Sequence, residues 1–467
     1  MEGEGGQTLK RHLGPLHLVL FGVGCAIGAG IFVLSGHVAA EHAGPAVILS
    51  FILAGLASLF AALCYSEFAT LVPVAGSAYT YSYATLGEAI AWLIGWNLIL
   101  EYAVGAITVA IGWSGYVVSL CDQIGLHIPS VLTAATGTPI LLADGTHAAA
   151  LFNLPAVLII GLTTAILILG IRESAKFNNI IVGIKLAVIL LFILGAAHAI
   201  VPANWHPFIP PNTGTPGVFG WSGIVTGSAI VFFAYVGFDA VSTAAQECKN
   251  PKRDMPIGLL GSLLAITVIY IAVAAVATGV MPYPQLNVSA PIAAAADHAG
   301  LGWMATLIKI GAVAGLSSVI LVLLLGQSRI FWNMSRDGLL PKIVGQLHPK
   351  FQTPWLTSIA TGLLVAFFAA IMPLDDMANL CSIGTLLAFA IVCASVLILR
   401  IREPHHIRPF KTPWIWAVAP LGSASAIYLM MALPISSWIR LVVWSVIGVA
   451  IYFGYGYWNS RLRKQGH

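Results

Sequence analysis

Long apolar runs separated by short polar, often basic, connections fill the 467-residue chain from end to end. The runs are uniformly apolar and mostly long enough to cross a hydrocarbon layer as a helix. Barrel strands would be about ten residues with alternating polarity, a pattern absent from these runs. The pattern therefore predicts an all-α polytopic membrane protein with twelve transmembrane helices, near 16–36, 44–72, 89–121, 153–170, 177–201, 219–246, 256–281, 303–331, 355–373, 377–400, 413–434 and 438–459.

Composition agrees: 59% of residues are hydrophobic and 8% charged, with a mean hydropathy of +0.93, outside the range of soluble globular domains. Of the 21 Lys and Arg residues, eighteen fall on one side of the predicted membrane. They are Lys10, Arg11, Arg172, Lys176, Lys249, Lys252, Arg253, Arg329, Arg336, Lys342, Lys350, Arg400, Arg402, Arg408, Lys411, Arg461, Arg463 and Lys464. Lys and Arg mark cytoplasmic loops, so both termini are expected in the cytoplasm, and an odd miscount of spans would scramble the asymmetry. The net charge of +4 suggests apposition to anionic lipid rather than a nucleic-acid partner. Lys309 and Arg440 sit near outer helix ends, within snorkelling distance. The six cysteines are scattered with no CxxC spacing, which indicates neither a disulfide framework nor a metal site. The first ten residues lack a cleavable-signal pattern, so the first span is expected to direct insertion. An Asn-Val-Ser sequon begins at Asn287 in an outer loop.

The remaining cation, Lys185, lies in the apolar run 179–194. An ionisable side chain at that depth must find partners or lose its proton, and it marks a functional site by default. Burial shifts lysine readily, which makes Lys185 a candidate proton carrier, with a static internal cation as the alternative. A fifth span beginning near Lys176 would place it roughly 13 Å along the helix, beyond snorkelling reach. Glu101 and Asp239 are also deep and need protonation or pairing. Glu101 lines the site or shares protons with Lys185, or else is a hydrogen-bonded packing acid. Glu67, Glu247, Arg329, Arg336 and Asp337 are expected in salt bridges of a cytoplasmic gate.

Two spans contain backbone that should not remain helical. Gly22, Gly24, Gly28 and Gly30 crowd the middle of the first, and Gly237 follows a β-branched and aromatic stretch in the sixth. Interrupted segments in corresponding positions of two halves point to a transporter site; these stand five spans apart, as in a 5+5 inverted repeat. Amides freed at the start of a half-helix attract a carboxylate, and carbonyls freed at the end of the preceding half attract an ammonium. Crossed breaks would bind the zwitterionic end of an α-amino acid. Gly24 and Gly28 also fit a small-residue helix-packing face, and no strand precedes the Gly-x-Gly spacing to make it a dinucleotide motif.

Five motifs carry a resemblance: the broken span ending Ile27-Gly-Ala-Gly-Ile-Phe32, the stretch 65–83, Leu100-Glu-Tyr102, and the stretches 246–256 and 326–341. Over residues 10–460 the chain resembles the amino acid–polyamine–organocation superfamily, specifically bacterial relatives of the cationic amino acid transporters. The resemblance implies a leucine-transporter-type fold working by alternating access. Its first repeat would be 16–201 and its second 202–411, with peripheral spans in 412–460 and cytoplasmic segments at 1–15 and 461–467. It places the substrate carboxylate on the amides of Gly28, Ala29 and Gly30. The amino group falls on carbonyls of Ala26 or Ile27 and of Phe233, Ala234 or Val236. Phe233 would be an aromatic gate, with ordinary packing as the alternative, and Asp239 would meet a cationic side chain or water. Lys185 would stand where sodium-coupled members hold an ion, near carbonyls between Gly22 and Cys25 and near Ser317 or Ser318. Ala29 replaces the hydroxyl residue of many relatives, which removes a side-chain contact to the carboxylate. Animal cationic transporters have two more spans and usually a neutral residue at the Lys185 position, so coupling and cationic preference do not transfer together.

The expected function is a proton-coupled symporter of neutral or cationic α-amino acids in a cytoplasmic membrane. Alternatives are an obligate exchanger and a non-transporting amino acid sensor. Expected partners are amino acid, protons and membrane lipid, with a small membrane subunit left open, and no cofactor or metal is called for. No nucleophile, base and metal constellation suggests an enzyme.

Overall fold

The computed structural model describes residues 13–71, 79, 87–141, 146–170, 175–351, 353–405 and 407–461, without the side chains at 141, 175–179 and 243–247. Lys10, Arg11, Arg172, Arg463, Lys464 and the 72–78 and 80–83 parts of the second motif lie outside the described residues, as do the side chains of Lys176 and Glu247.

Helices dominate because a chain surrounded by hydrocarbon must satisfy its backbone internally. The first, α1 (Pro15–Ala26), opens on a proline, whose missing N–H falls where no intrahelical partner exists. After a break, the chain resumes as a π-helical stretch Gly30–Leu34, the short α2 (Ser35–Val38) and a second π stretch Ala39–Ala43. Then follow α3 (Val47–Leu71), α4 (Glu88–Gln123), α5 (Leu154–Leu169), α6 (Ala175–Ala196) and α7 (Gly220–Val231). Two 3-10 segments, Phe232–Tyr235 and Phe238–Glu247, continue from α7. The remainder comprises α8 (Pro251–Val280), α9 (Pro291–His298), α10 (Gly302–Arg336), α11 (Trp355–Ile371), α12 (Leu374–Arg402), α13 (Ile415–Met431) and α14 (Ile435–Ile451).

Among the described residues, eight helical stretches are long and apolar enough to cross a membrane, and four shorter apolar helices accompany them. The first expected span, 16–36, is divided: α1 stops at Ala26, and its continuation runs into the 42-residue stretch Gly30–Leu71. The long helices α4 and α10 pack against each other, α3 against α8, and α1 against α8. Leu13 forms a parallel bridge with Cys248, so the start of α1 is tied to the chain leaving the sixth-span segment.

The structure is mostly helical, as the pattern predicts, and adds two short elements between the spans. A two-stranded antiparallel hairpin, β1 (Pro139–Leu141) with β2 (His147–Ala149), pairs Ile140 with Ala148 in the connection between α4 and α5. The loop after α8 contains α9, which rests on the second half of the first span: a Cβ on Gly36 would overlap the Pro291 ring. Ser289 in the same loop abuts Gly115 of α4. Both elements are too short for hydropathy to reveal.

Candidate functional site

The centre of the molecule is the crossing of two breaks. Helix α1 ends because Ile27 turns extended (φ −70°, ψ 99°) and takes its last hydrogen bond to the Val23 carbonyl. Helical bonding restarts when Ile31 and Phe32 donate to the Gly28 carbonyl, both at 3.3 Å. The amides of Gly28, Ala29 and Gly30 thus stand at a helix start, where no carbonyl four residues earlier is in register. Relief of the π stretch is visible as well: Ser35 donates to Ile31 O (2.6 Å) and Tyr116 to Phe32 O (2.7 Å).

In the sixth-span segment, Val236 is extended (φ −62°, ψ 131°) and Gly237 takes φ +105°, a backbone that favours glycine. The breaks touch directly. A Cβ on Gly237 would lie 3.0 Å from the Cys25 carbonyl oxygen, and one on Gly30 would overlap the Ala234 Cα. Glycine at both positions is what lets the two backbones cross.

Lys185 projects from α6 into this crossing and is 1% exposed. Its Nζ donates to Gly24 O at 2.7 Å and to Ile27 O at 3.2 Å, on either side of the α1 terminus. The last carbonyls of a helix carry partial negative charge, which favours a cation there and offsets part of the desolvation penalty. The aliphatic stem lies against Gly315 of α10. Ser318 donates to the Gly315 carbonyl (3.1 Å) beside it. Ser317 instead donates to Val313 O (2.7 Å) and accepts from Trp113 Nε1 (2.8 Å), which fastens α10 to α4.

Several carbonyls expected to receive a substrate amino group hold protein donors. Ile27 O takes Lys185. Ala26 O and Ala234 O both face the Tyr270 hydroxyl, at 3.0 and 2.7 Å, and Phe233 O takes the Val236 amide. Tyr270, fully buried on α8, is a site residue that sequence reasoning missed. Its signal was a phenol inside an aliphatic run, since a buried Tyr hydroxyl needs a partner. Val236, extended at the break, turns its carbonyl out of the helical ladder.

Asp239, two residues past Gly237, is 4% exposed. It lies in the first turn of the Phe238–Glu247 segment. Glu101 is 3% exposed on α4, and its backbone carbonyl accepts from the Cys381 thiol of α12 (3.6 Å). Phe233 is 6% exposed at the crossing. Facing the amides of the first break, Val319 of α10 comes within 3.6 Å of where a Gly28 Cβ would be, and Leu323 one turn on borders Gly105.

At the end of the molecule carrying the basic loops, Glu67 pairs with Arg400 (2.6 Å) and Arg408 (3.0 Å) and accepts the Thr412 amide. Arg336 lies over the Trp332 ring, and Asp337 accepts the Tyr79 hydroxyl (2.7 Å). Of the expected gate residues, Glu67 thus belongs to one cluster and Arg336 and Asp337 to another. At the opposite end, His37 meets Asp375 (3.1 Å) and Arg440 meets Asp376 (2.8 Å). Asn287 of the sequon is tied by hydrogen bonds to Glu41 and His37. Lys309, expected as a snorkelling anchor, is 7% exposed and reaches Gln123 Oε1 at 3.1 Å, at the end of α4.

Residues 13–456 fit the amino acid permease family, and the chain belongs to it. It is 45% identical to the methylthioribose transporter of Bacillus subtilis (strain 168), over 98% of this chain and 96% of that one. The branched-chain amino acid permease BcaP of the same organism is also 45% identical, with the same shares. The vacuolar cationic amino acid transporter 4 of Arabidopsis thaliana is 37% identical over 87% of this chain and 66% of its own. The protein is a multi-pass membrane transporter, not an enzyme.

Proposed function

We propose that this permease is a proton-coupled symporter of neutral α-amino acids, with twelve spans in a 5+5 inverted repeat plus two peripheral helices. Its repeats are 16–201 and 202–411, and both termini face the cytoplasm of a cell whose plasma membrane it spans. The observation that carries the reading is the Lys185 ammonium held by Gly24 O and Ile27 O across the end of α1. A protonated lysine caps that helix end and draws α6 to it. A neutral lysine loses most of that attraction, so the proton discriminates between two arrangements of the same helices, as coupling requires.

The substrate carboxylate fits the amides of Gly28, Ala29 and Gly30. Its amino group fits the Val236 carbonyl, with Ala26 and Ala234 available when the Tyr270 hydroxyl turns aside. Val319 and Leu323 border the place of the side chain with aliphatic surface, which supports a neutral substrate over a cationic one. BcaP is named for branched-chain amino acids, but a relative of equal identity is named for methylthioribose, so likeness alone does not fix the substrate.

The test is uptake into proteoliposomes under an imposed inward proton gradient, with wild type compared to Lys185→Ala. Wild type should concentrate a branched-chain amino acid severalfold, and the variant should reach no more than equilibrium while still exchanging substrate. Competition by unlabelled leucine but not arginine is expected. Gradient-driven accumulation by a well-folded Lys185→Ala protein would remove the lysine from the coupling mechanism. Wild-type counterflow without uptake into empty vesicles would make the protein an exchanger.

A further inference from the structure

A polar cavity of about 390 Å³ opens at the basic-loop end, where the C-terminus of α10 and the loop after it meet the chain following α14. That volume is within the roughly 300–1,000 Å³ of small-molecule sites. Its lining includes Arg336, Lys342 and Arg461, together with Trp332, Tyr455 and Asn459. Three cations from two separate stretches of sequence therefore face one space, and none of the lining residues is a carboxylate.

The walls are fixed rather than incidental. Gly338 (φ +85°) lets the chain after α14 cross against the end of α10, since a Cβ there would overlap the Asn459 carbonyl oxygen. The Arg461 amide donates to Asp337 O at 3.1 Å, and the Asn459 side chain donates to Tyr455 O at 3.1 Å. Arg336 is steadied over Trp332, 5.3 Å from its ring centroid. The neighbouring carboxylates are engaged elsewhere. Asp337 holds the Tyr79 hydroxyl, and burial pushes its carboxyl up from the usual range against that bond and the Arg336 and Arg461 charges. Glu88 is taken by the hydroxyls of Tyr452 and Ser460.

The stretches that carry the lining also supply a second chemistry: Ile343, next to Lys342, is 59% exposed, and Trp458, next to Asn459, is 71% exposed. A soluble anion would have no use for them, whereas a phospholipid places its phosphate among cations and its acyl chains along apolar surface. We propose that this cavity binds the phosphate of an anionic phospholipid headgroup, clamping the end of α10 to the C-terminal segment. Arg336 and Arg461 offer paired N–H donors to phosphate oxygens, and Lys342 a point charge. The site lies outside the breaks, and lipid binding there does not require the proposed coupling mechanism. Through α10, which carries Gly315 and Ser318, it bears on the helix against which Lys185 is packed.

The test uses the full chain purified in a neutral detergent and reads the shift in melting temperature. Added lipids are phosphatidylglycerol or phosphatidylethanolamine, and inorganic phosphate or glycerol 3-phosphate is added in separate samples. The site variant is Arg336→Gln/Lys342→Gln/Arg461→Gln. The control, Lys249→Gln/Lys252→Gln/Arg253→Gln, removes equal charge from another basic loop. Phosphatidylglycerol should raise the melting temperature of wild type and control by several degrees, and that of the site variant by less than half as much. Phosphatidylethanolamine should do little to any of them. Lys342→Gln alone, at an exposed position, should show a partial loss and serves if the triple variant misfolds. Equal responses of site variant and control would overturn the proposal. A wild-type shift reproduced in full by inorganic phosphate or glycerol 3-phosphate would overturn the lipid as occupant.

Discussion

Gly315 is where the depth of Lys185 is decided. A Cβ there would stand 2.5 Å from both Cγ and Cδ of the lysine, so α10 can pass α6 at this level only by giving up a side chain. Gly315→Ala should therefore push the ammonium off Gly24 O while leaving the lysine in the sequence. Overpacking of this kind costs about 1–3 kcal/mol, so a lower melting temperature is expected together with gradient-driven accumulation falling toward that of Lys185→Ala. A variant that melts lower but accumulates normally would show that the Gly24 contact is structural. Lys185 was legible in the sequence because a lone charge in an apolar run is visible without knowledge of the fold. Tyr270 was less so: its hydroxyl serves carbonyls 36 and 244 positions away.

The broken elements repeat this division. Clustered glycines and the β-branched, aromatic neighbourhood of Gly237 predicted both breaks, because they weaken a helix locally. The π stretches after Gly30 were not predicted; Ser35 and Tyr116 hydroxyls satisfy Ile31 and Phe32 carbonyls, and Tyr116 lies on a distant helix. The contact between breaks was likewise hidden, although it makes the strictest demand on sequence. Gly237 combines φ +105° with a Cys25 carbonyl 3.0 Å from any added Cβ. Gly237→Ala thus faces backbone strain and a clash with backbone that cannot turn away. A loss of more than about 1 kcal/mol is expected from the dihedral alone, with transport reduced at least tenfold; the same change at Gly161, where nothing lies within 4 Å of an added Cβ, should be silent. Proteoliposome uptake and thermal melts on the pair would decide. Equal behaviour of the two variants would mean that the crossing accommodates a methyl group and that the breaks are looser than their contact distances indicate.

At the scale of the whole molecule, the two ends are closed by interactions of very different strength. Glu67 is fully buried and held by two arginines and a backbone amide, joining α3 to α12 and the chain beyond it. Separating a buried pair of this kind costs about 3–5 kcal/mol, so α3 and α12 should move together there. His37 and Asp375 join the second half of the first span to the start of α12 at the other end, and the Asp375 side chain is 48% exposed. The His37 side chain is 17% exposed, and part-exposed pairs of this type contribute about 1 kcal/mol or less. The same α12 is thus bolted at the basic-loop end and lightly latched at the other, which makes the His37–Asp375 contact the place to open for substrate entering from that side. Bridging His37→Cys and Asp375→Cys with a bifunctional thiol reagent should abolish net uptake, and a reagent cleavable by reductant should allow its recovery. Each single-cysteine variant should transport at near wild-type rates after the same treatment, which accounts for reaction at the part-exposed native Cys25 and Cys121. Undiminished uptake by fully bridged protein would show that substrate enters without parting these helices, and the opening would then have to be sought along the loop bearing α9.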